Sequence, residues 1–217
     1  MLIVDVRDQL LRARNPDGSL YSYGRYGPKI GLAGHWNGGP VPRTLLPIEV
    51  LEADARFHVE TRGWDGISYH GAIDWTGVFY LCRDDDAVLA STGSELGNEA
   101  YYQVQLMYGE GQEPTPMMLA TFAELCRKYN GIVNPHKWFS PTQCPGPFLT
   151  NWISDRKWED IVVTDPNIIA AIYDAAGENT KATLVHLSRL QRGMDVERGE
   201  PFDPTKPPLD PRVIVKT

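Results

Sequence analysis

The sequence predicts an α/β fold, a mixed central β-sheet flanked by helices, with a C-terminal helical extension. Three observations carry this. Strand-like and helix-like stretches alternate through the first two thirds of the 217 residues, and such alternation builds a sheet with helices packed on it. Residues 67–83 hold two short strand signals around Asp74-Trp75-Thr76-Gly77, which reads as a hairpin. Beyond about residue 155 strand signals give way to short helical stripes and then to prolines.

Residues 1–29 open on an apolar run and continue through turn-rich NPDGS and YGRYGP. Lys29 to Trp36 then reads as a buried strand ending in His35, followed by the loop Asn37-Gly38-Gly39-Pro40. Taken alone, a histidine at a strand end is more often a hydrogen-bonded structural residue than a ligand. A helix is expected over 47–62, with Pro47 early and Ile48, Leu51, Ala55, His58 and Val59 on one face. His58 on that stripe reads as a core histidine and stays outside the candidate site. The acidic run 84–86 and the stretch 91–98 read as polar loops. A strand follows, with Tyr102, Val104, Leu106 and Tyr108 on one face and Gln103 and Gln105 on the other. Thr115 and Pro116 then start a helix whose stripe is Leu119, Phe122, Ala123 and Cys126. Short helices are expected over 166–176 and 180–192. The run from 199, with prolines at 201, 204, 207, 208 and 211, reads as a tail or linker.

Composition narrows the class. A net charge of -7 and pI near 5.2 give no general attraction to nucleic acid or to an anionic membrane, so neither partner is expected. No apolar run reaches the length of a membrane span. The start, MLIVDVRDQLLRAR, lacks the pattern of a secretory signal, so synthesis in the cytoplasm is expected. Three cysteines do not make a disulfide framework. Cys82 and Cys126 lie on apolar stripes and read as small buried hydrophobes. Nothing in the sequence fixes an oligomeric state.

Cys144 differs. It lies eight positions after His136 in a segment broken by prolines at 135, 141, 145 and 147. Proline removes a backbone donor and pushes its predecessor towards extended geometry, so a stiff loop presents both side chains. Neutral imidazole and thiolate are the usual zinc ligands, and a catalytic zinc needs three from the protein. A third ligand must come from elsewhere in the chain.

Five segments, in order, resemble the zinc-dependent N-acetylmuramoyl-L-alanine amidases, the phage amidase-type lysozymes and peptidoglycan-recognition proteins. They are the strand Ile30–His35, the stretch Phe57–His70 (FHVETRGWDGISYH), the hairpin Asp74–Arg83, Asn98 with its following strand, and HKWFSPTQCPG at 136–146. The likeness covers roughly residues 28–150. It implies that fold type, an amidase domain over 1–154, a helical extension over 155–198 and a proline-rich tail or linker over 199–217. It also implies one Zn2+ per chain held by His35, His136 and Cys144, with Tyr69 as the catalytic tyrosine and Thr142, where members carry lysine or threonine, as a second catalytic residue. His70 is not a ligand in that family. Two positions depart from the pattern: Ser91, where the family often has histidine, and Trp36, where many members have a second histidine or a small polar residue.

The resemblance implies hydrolysis of the amide between N-acetylmuramic acid and L-alanine in bacterial peptidoglycan. The biological setting it suggests is a phage endolysin acting on the cell wall after holin-dependent release. A bacterial autolysin or recycling amidase is the alternative setting. Three rival readings stand beside the enzyme: a peptidoglycan-binding module without activity, a thiol hydrolase with Cys144 as nucleophile and His136 as base, and a regulatory metal protein. The residues after 155 are read by default as extra packing on the domain.

Overall fold

The computed structural model describes residues 1–161. These form one compact unit. The helices expected over 166–176 and 180–192 and the tail from 199 lie outside the described residues.

Six strands make one sheet in the order β1-β4-β3-β5-β2-β6. They are β1 (Ile3–Asp5), β2 (Gly31–Gly38), β3 (Gly71–Ile73), β4 (Phe79–Leu81), β5 (Tyr101–Gly109) and β6 (Val133–Pro135). The β3–β4 hairpin is antiparallel and every other neighbouring pair is parallel, so the sheet is mixed. β5 is buried along its whole length. Parallel strands covered on both faces have this property, so the alternation in β5 marks two buried faces rather than an inside and an outside.

β2 continues past His35 to Gly38, where it pairs with Gly109 of β5. Asn37 and Gly38, expected to begin a loop, are still strand, and His35 is an interior position. Its neighbour Gly34 faces the opposite side of the sheet. There a Cβ would come within 3.0 Å of Ile153 and 3.2 Å of Phe122, so glycine is what lets two helices sit against the strand. Those helices are α3 (Pro116–Lys128) and α4 (Gly146–Ser154). α3 starts as expected, with Thr115 Oγ1 accepting from the Met118 N–H. α4 was not anticipated, because its first residues belong to the proline-rich stretch. Trp158, in a short turn of helix over Lys157–Glu159, packs on this core beside Trp152.

α1 (Pro47–Arg56) covers the other face. Proline occupies its first turn, and the Glu49 carboxylate accepts from the Leu46 N–H at 2.7 Å, satisfying one of the helix's unpaired donors. The helix runs on through a wider π-turn over Phe57–Thr61, which carries His58. As expected, His58 is a buried structural residue whose Nδ1 accepts from the Ser68 N–H. Burial drives it down to a pKa of about 4.

The stretch 91–98 is not wholly loop: α2 (Glu95–Ala100) begins inside it. It has almost no apolar stripe to announce it. Thr92 closes the turn instead, donating to Asn98 Oδ1 from both its backbone N–H and its hydroxyl. The acidic loop is exposed, as expected, with Asp84 paired to Arg7 and Arg25, and Asp86 to Arg25.

Two of the sequence segments meet in a buried ion pair. Arg83, at the end of the hairpin, grips Asp65 through two bonds of 3.0 and 2.6 Å and also donates to the Ile67 carbonyl. This fixes the backbone leading to Tyr69. Removing one partner of such a pair typically costs about 3–5 kcal/mol, because a charge is left buried alone.

Candidate metal centre

β2 and β5 run in parallel register with His35 opposite Gln105, so His35, Asn37, Gln103 and Gln105 project from one face. Asn37 and Gln105 of that face line a cleft of about 1060 Å³, together with His136, Thr142 and Cys144 from the loop after β6. The structure therefore brings His35 to the proline-rich loop.

One donor atom from each of His35, His136 and Cys144 lies within 4.8 Å of the other two. The Cys144 Sγ is 3.7 Å from His35 Nδ1. Around a tetrahedral zinc with Zn–N near 2.0 Å and Zn–S near 2.3 Å, an N–S separation of about 3.6 Å is expected. The two imidazoles face each other with ring centroids 4.6 Å apart.

The hydrogen bonds fix which nitrogens are available. Gln103 directs its amide NH2 at the carbonyls of Gly97 and Tyr101, so its Oε1 faces His35 and accepts from Nε2–H at 2.7 Å. His35 Nδ1 is thereby left unprotonated towards Cys144. His136 Nε2 bonds Ser140 Oγ at 3.2 Å, and its Nδ1 is buried without a hydrogen-bond partner among the described residues. An orphaned buried nitrogen beside a second imidazole and a thiol fits a metal ligand set. Burial holds both histidines below their ordinary pKa, well below for His35, so both are neutral. Burial also pushes the Cys144 thiol up to about 12, slightly offset by the Trp36 N–H donating to Sγ at 3.4 Å. A cysteine acting as nucleophile needs the opposite shift, which counts against the thiol-hydrolase reading.

Gln103 is the residue that sequence reasoning missed. Its signal was a glutamine at every second position of an otherwise apolar strand, where a polar side chain has no reason to be unless something faces it. Because outer partners of metal-bound histidines typically contribute 10–100-fold in affinity, Gln103→Leu is expected to weaken zinc binding by about that factor. Competition with a chromophoric chelator measures it. Unchanged affinity would mean that His35 is oriented without Gln103.

The remaining site positions divide by what they touch. Tyr69 lines the cleft with its ring 5.2 Å from His35. Burial, with Cys144 as the next cause, holds its pKa well above the ordinary value, so it keeps its proton. Thr142 also lines the cleft, but its Oγ1 accepts from the Cys144 N–H at 3.2 Å, bracing the loop. Ser91 stands in the cleft wall with its hydroxyl buried and unpartnered among the described residues. His70 is fully buried away from the ligands, donating to the Ala87 carbonyl and accepting from the Gln103 N–H.

Trp36 seats the loop. Its indole packs edge-on to Tyr108, whose hydroxyl donates to the Pro145 carbonyl at 2.6 Å. Gly146 has φ +83, and a Cβ there would lie 2.4 Å from the Trp36 ring. Gly146→Ala therefore meets both a left-handed backbone and a ring it cannot pass. A loss of about 1–3 kcal/mol is expected in urea unfolding, and an unchanged midpoint would show that the indole does not sit there.

No protein-family profile matches the chain, and no curated protein matches it. Solved structures do. Drosophila PGRP-LB shares 22% identity at a TM-score of 0.54, over 70% of this chain and 92% of that one. Peptidoglycan recognition protein-LE, solved with tracheal cytotoxin, shares 19% at 0.56, again over 70% and 92%. The endolysin amidase LysCS of Clostridium intestinale shares 22% over 71% and 94%, at 0.48. Sheet, helices and the histidine–histidine–cysteine cleft define a mixed α/β protein with a candidate metal centre. Its fold is that of the peptidoglycan-recognition proteins.

Proposed function

We propose that the chain is a zinc-dependent peptidoglycan amidase, hydrolysing the amide between N-acetylmuramic acid and L-alanine. One observation carries this reading: His35, His136 and Cys144 lie together beside Tyr69, and His136, Cys144 and Tyr69 line an open cleft. One thiolate and two neutral imidazoles would hold the ion. Zinc so bound supplies Lewis acidity to a carbonyl and lowers the pKa of water towards 7. Tyr69, protonated and at the cleft wall, donates a hydrogen bond to the oxygen that gains charge as the amide is attacked. Thr142 keeps the Cys144 backbone in place, and its hydroxyl proton can point into the cleft. Gln103 holds His35 in the tautomer that leaves Nδ1 open. Trp36 and Gly146 hold the loop against the sheet.

The test is release of soluble muropeptide from purified cell walls, with mass spectrometry of the products, with and without a chelator. New L-alanine amino termini that vanish with chelator and return with zinc support the amidase. Binding to walls without cleavage in added zinc selects the binding module. The endolysin setting belongs to the same proposal, and expression with and without a holin tests it: lysis only with the holin is the expected result.

A further inference from the structure

We propose that Asp54, Asn37 and Gln105 form a subsite for a primary ammonium group, making the cleft selective for stem peptides whose diamino acid carries an unblocked amine. This rests on the wall-peptide reading above and adds a ligand preference to it. Asp54 projects from α1 towards the sheet, where its Oδ2 accepts from Asn37 Nδ2 at 2.9 Å and Gln105 Nε2 at 2.8 Å. Each amide thus commits its NH2 to the carboxylate. Reversing either would turn a carbonyl oxygen onto an anion, so the orientation is set. Asn37 Oδ1 and Gln105 Oε1 are left buried with no donor among the described residues, and Gln105 is only 1% exposed.

A buried acceptor without a donor typically costs about 1–3 kcal/mol. Two of them beside a carboxylate describe a place short of both hydrogens and positive charge. An ammonium group supplies three donors, one charge and no acceptor. All three residues line the cleft, whose charged lining is otherwise Glu110 and Glu113 against Arg62, an excess of negative charge that suits a cation. Arg62 itself lies over the Phe57 and Trp64 rings.

The position along the cleft also fits. Asn37 and Gln105 follow His35 and Gln103 by two residues on adjacent parallel strands, on the same face. Two residues of strand advance about 6.6 Å. A peptide with its scissile amide at the histidine–cysteine group and running along β2 and β5 towards Asn37 and Gln105 would lay later side chains over this cluster. The polar cluster also explains why α1 carries a carboxylate on its inward stripe, between Leu51 and His58, where an apolar residue would otherwise pack.

The experiment is calorimetric binding of a diaminopimelate-containing stem tripeptide, its N-terminus acetylated so that no muramyl amide and no α-ammonium is present, in two forms: side-chain amine free, or acetylated as well. The intact 217-residue chain and its Asp54→Asn variant are compared, with wall cleavage measured in parallel. A charge-assisted hydrogen bond at a largely buried site predicts about tenfold tighter binding of the free amine by the wild type. The variant is expected to bind both forms alike, near the wild type's affinity for the fully acetylated one. Equal affinity of the wild type for both forms overturns the subsite without reference to any variant. So does an equal weakening of both forms in Asp54→Asn, which would make the residue purely structural. If the wild type cleaves walls yet shows no amine preference, only the subsite falls. If it neither binds stems nor cleaves walls, the wall-peptide reading falls and takes the subsite with it.

Discussion

Cys144→Ser is expected to abolish both zinc retention and wall lysis. Removing an outer partner of a zinc ligand costs 10–100-fold in affinity; removing the thiolate itself is expected to cost on the order of 10³-fold or more. Metal analysis of dialysed protein should then fall from about one zinc per chain to near zero. The proton balance gives a second readout. In the metal-free protein Cys144 is a thiol, held up to about 12, while both histidines are pushed down and neutral. Zinc uptake near neutral pH must therefore release one proton, from sulfur, and apparent affinity should rise about tenfold per pH unit through the neutral range. The serine variant should lose that dependence. A wild-type slope near zero would mean that Cys144 is not a ligand, and a slope near two would mean that a histidine gives up a proton as well.

Tyr69→Phe is expected to separate chemistry from construction. The substitution keeps the ring that packs beside His35 and His58 and deletes only the hydroxyl. Loss of one donor to a developing oxyanion typically costs about 3–4 kcal/mol, or 10²–10³-fold in kcat. Zinc content and unfolding midpoint should stay at wild-type values. An unchanged kcat would return Tyr69 to the role of a core tyrosine; a loss of zinc would make it part of the metal centre's support. Because the hydroxyl is held well above its ordinary pKa, the rate should not fall at pH 9–10 through loss of its proton.

Much of this molecule is legible in the chain before any fold is drawn, for physical reasons that differ by region. The hairpin at 71–81 and α3 announce themselves through turn residues and a capped apolar stripe, both local signals. The candidate metal group was reachable only because prolines keep any long helix out of 136–145, leaving His136 and Cys144 with no structural explanation, and because the order of motifs supplied His35 as partner. What stayed hidden depends on contacts between distant segments. α2 exists because Asn98 closes on Thr92, not because of apolar spacing. β2 runs on to Gly38 because Gly109 of β5 pairs with it. Gln103 and Asp54 look like ordinary polar residues until the strands and α1 are brought together. The departure at Trp36 likewise acquires a meaning only beside Gly146.

The strand order has a consequence for biosynthesis. β2 is flanked by β5 and β6, strands made long after it, and the cleft's cysteine comes 109 positions behind its first histidine. On a ribosome adding about 5–20 residues per second, the early half of the chain emerges with an open sheet edge and without the full candidate ligand set. The centre can close only after the segment carrying Cys144 has cleared the exit tunnel. A nascent chain stalled before that point would be inert, and its exposed β2 edge would be the surface that chaperones must shield.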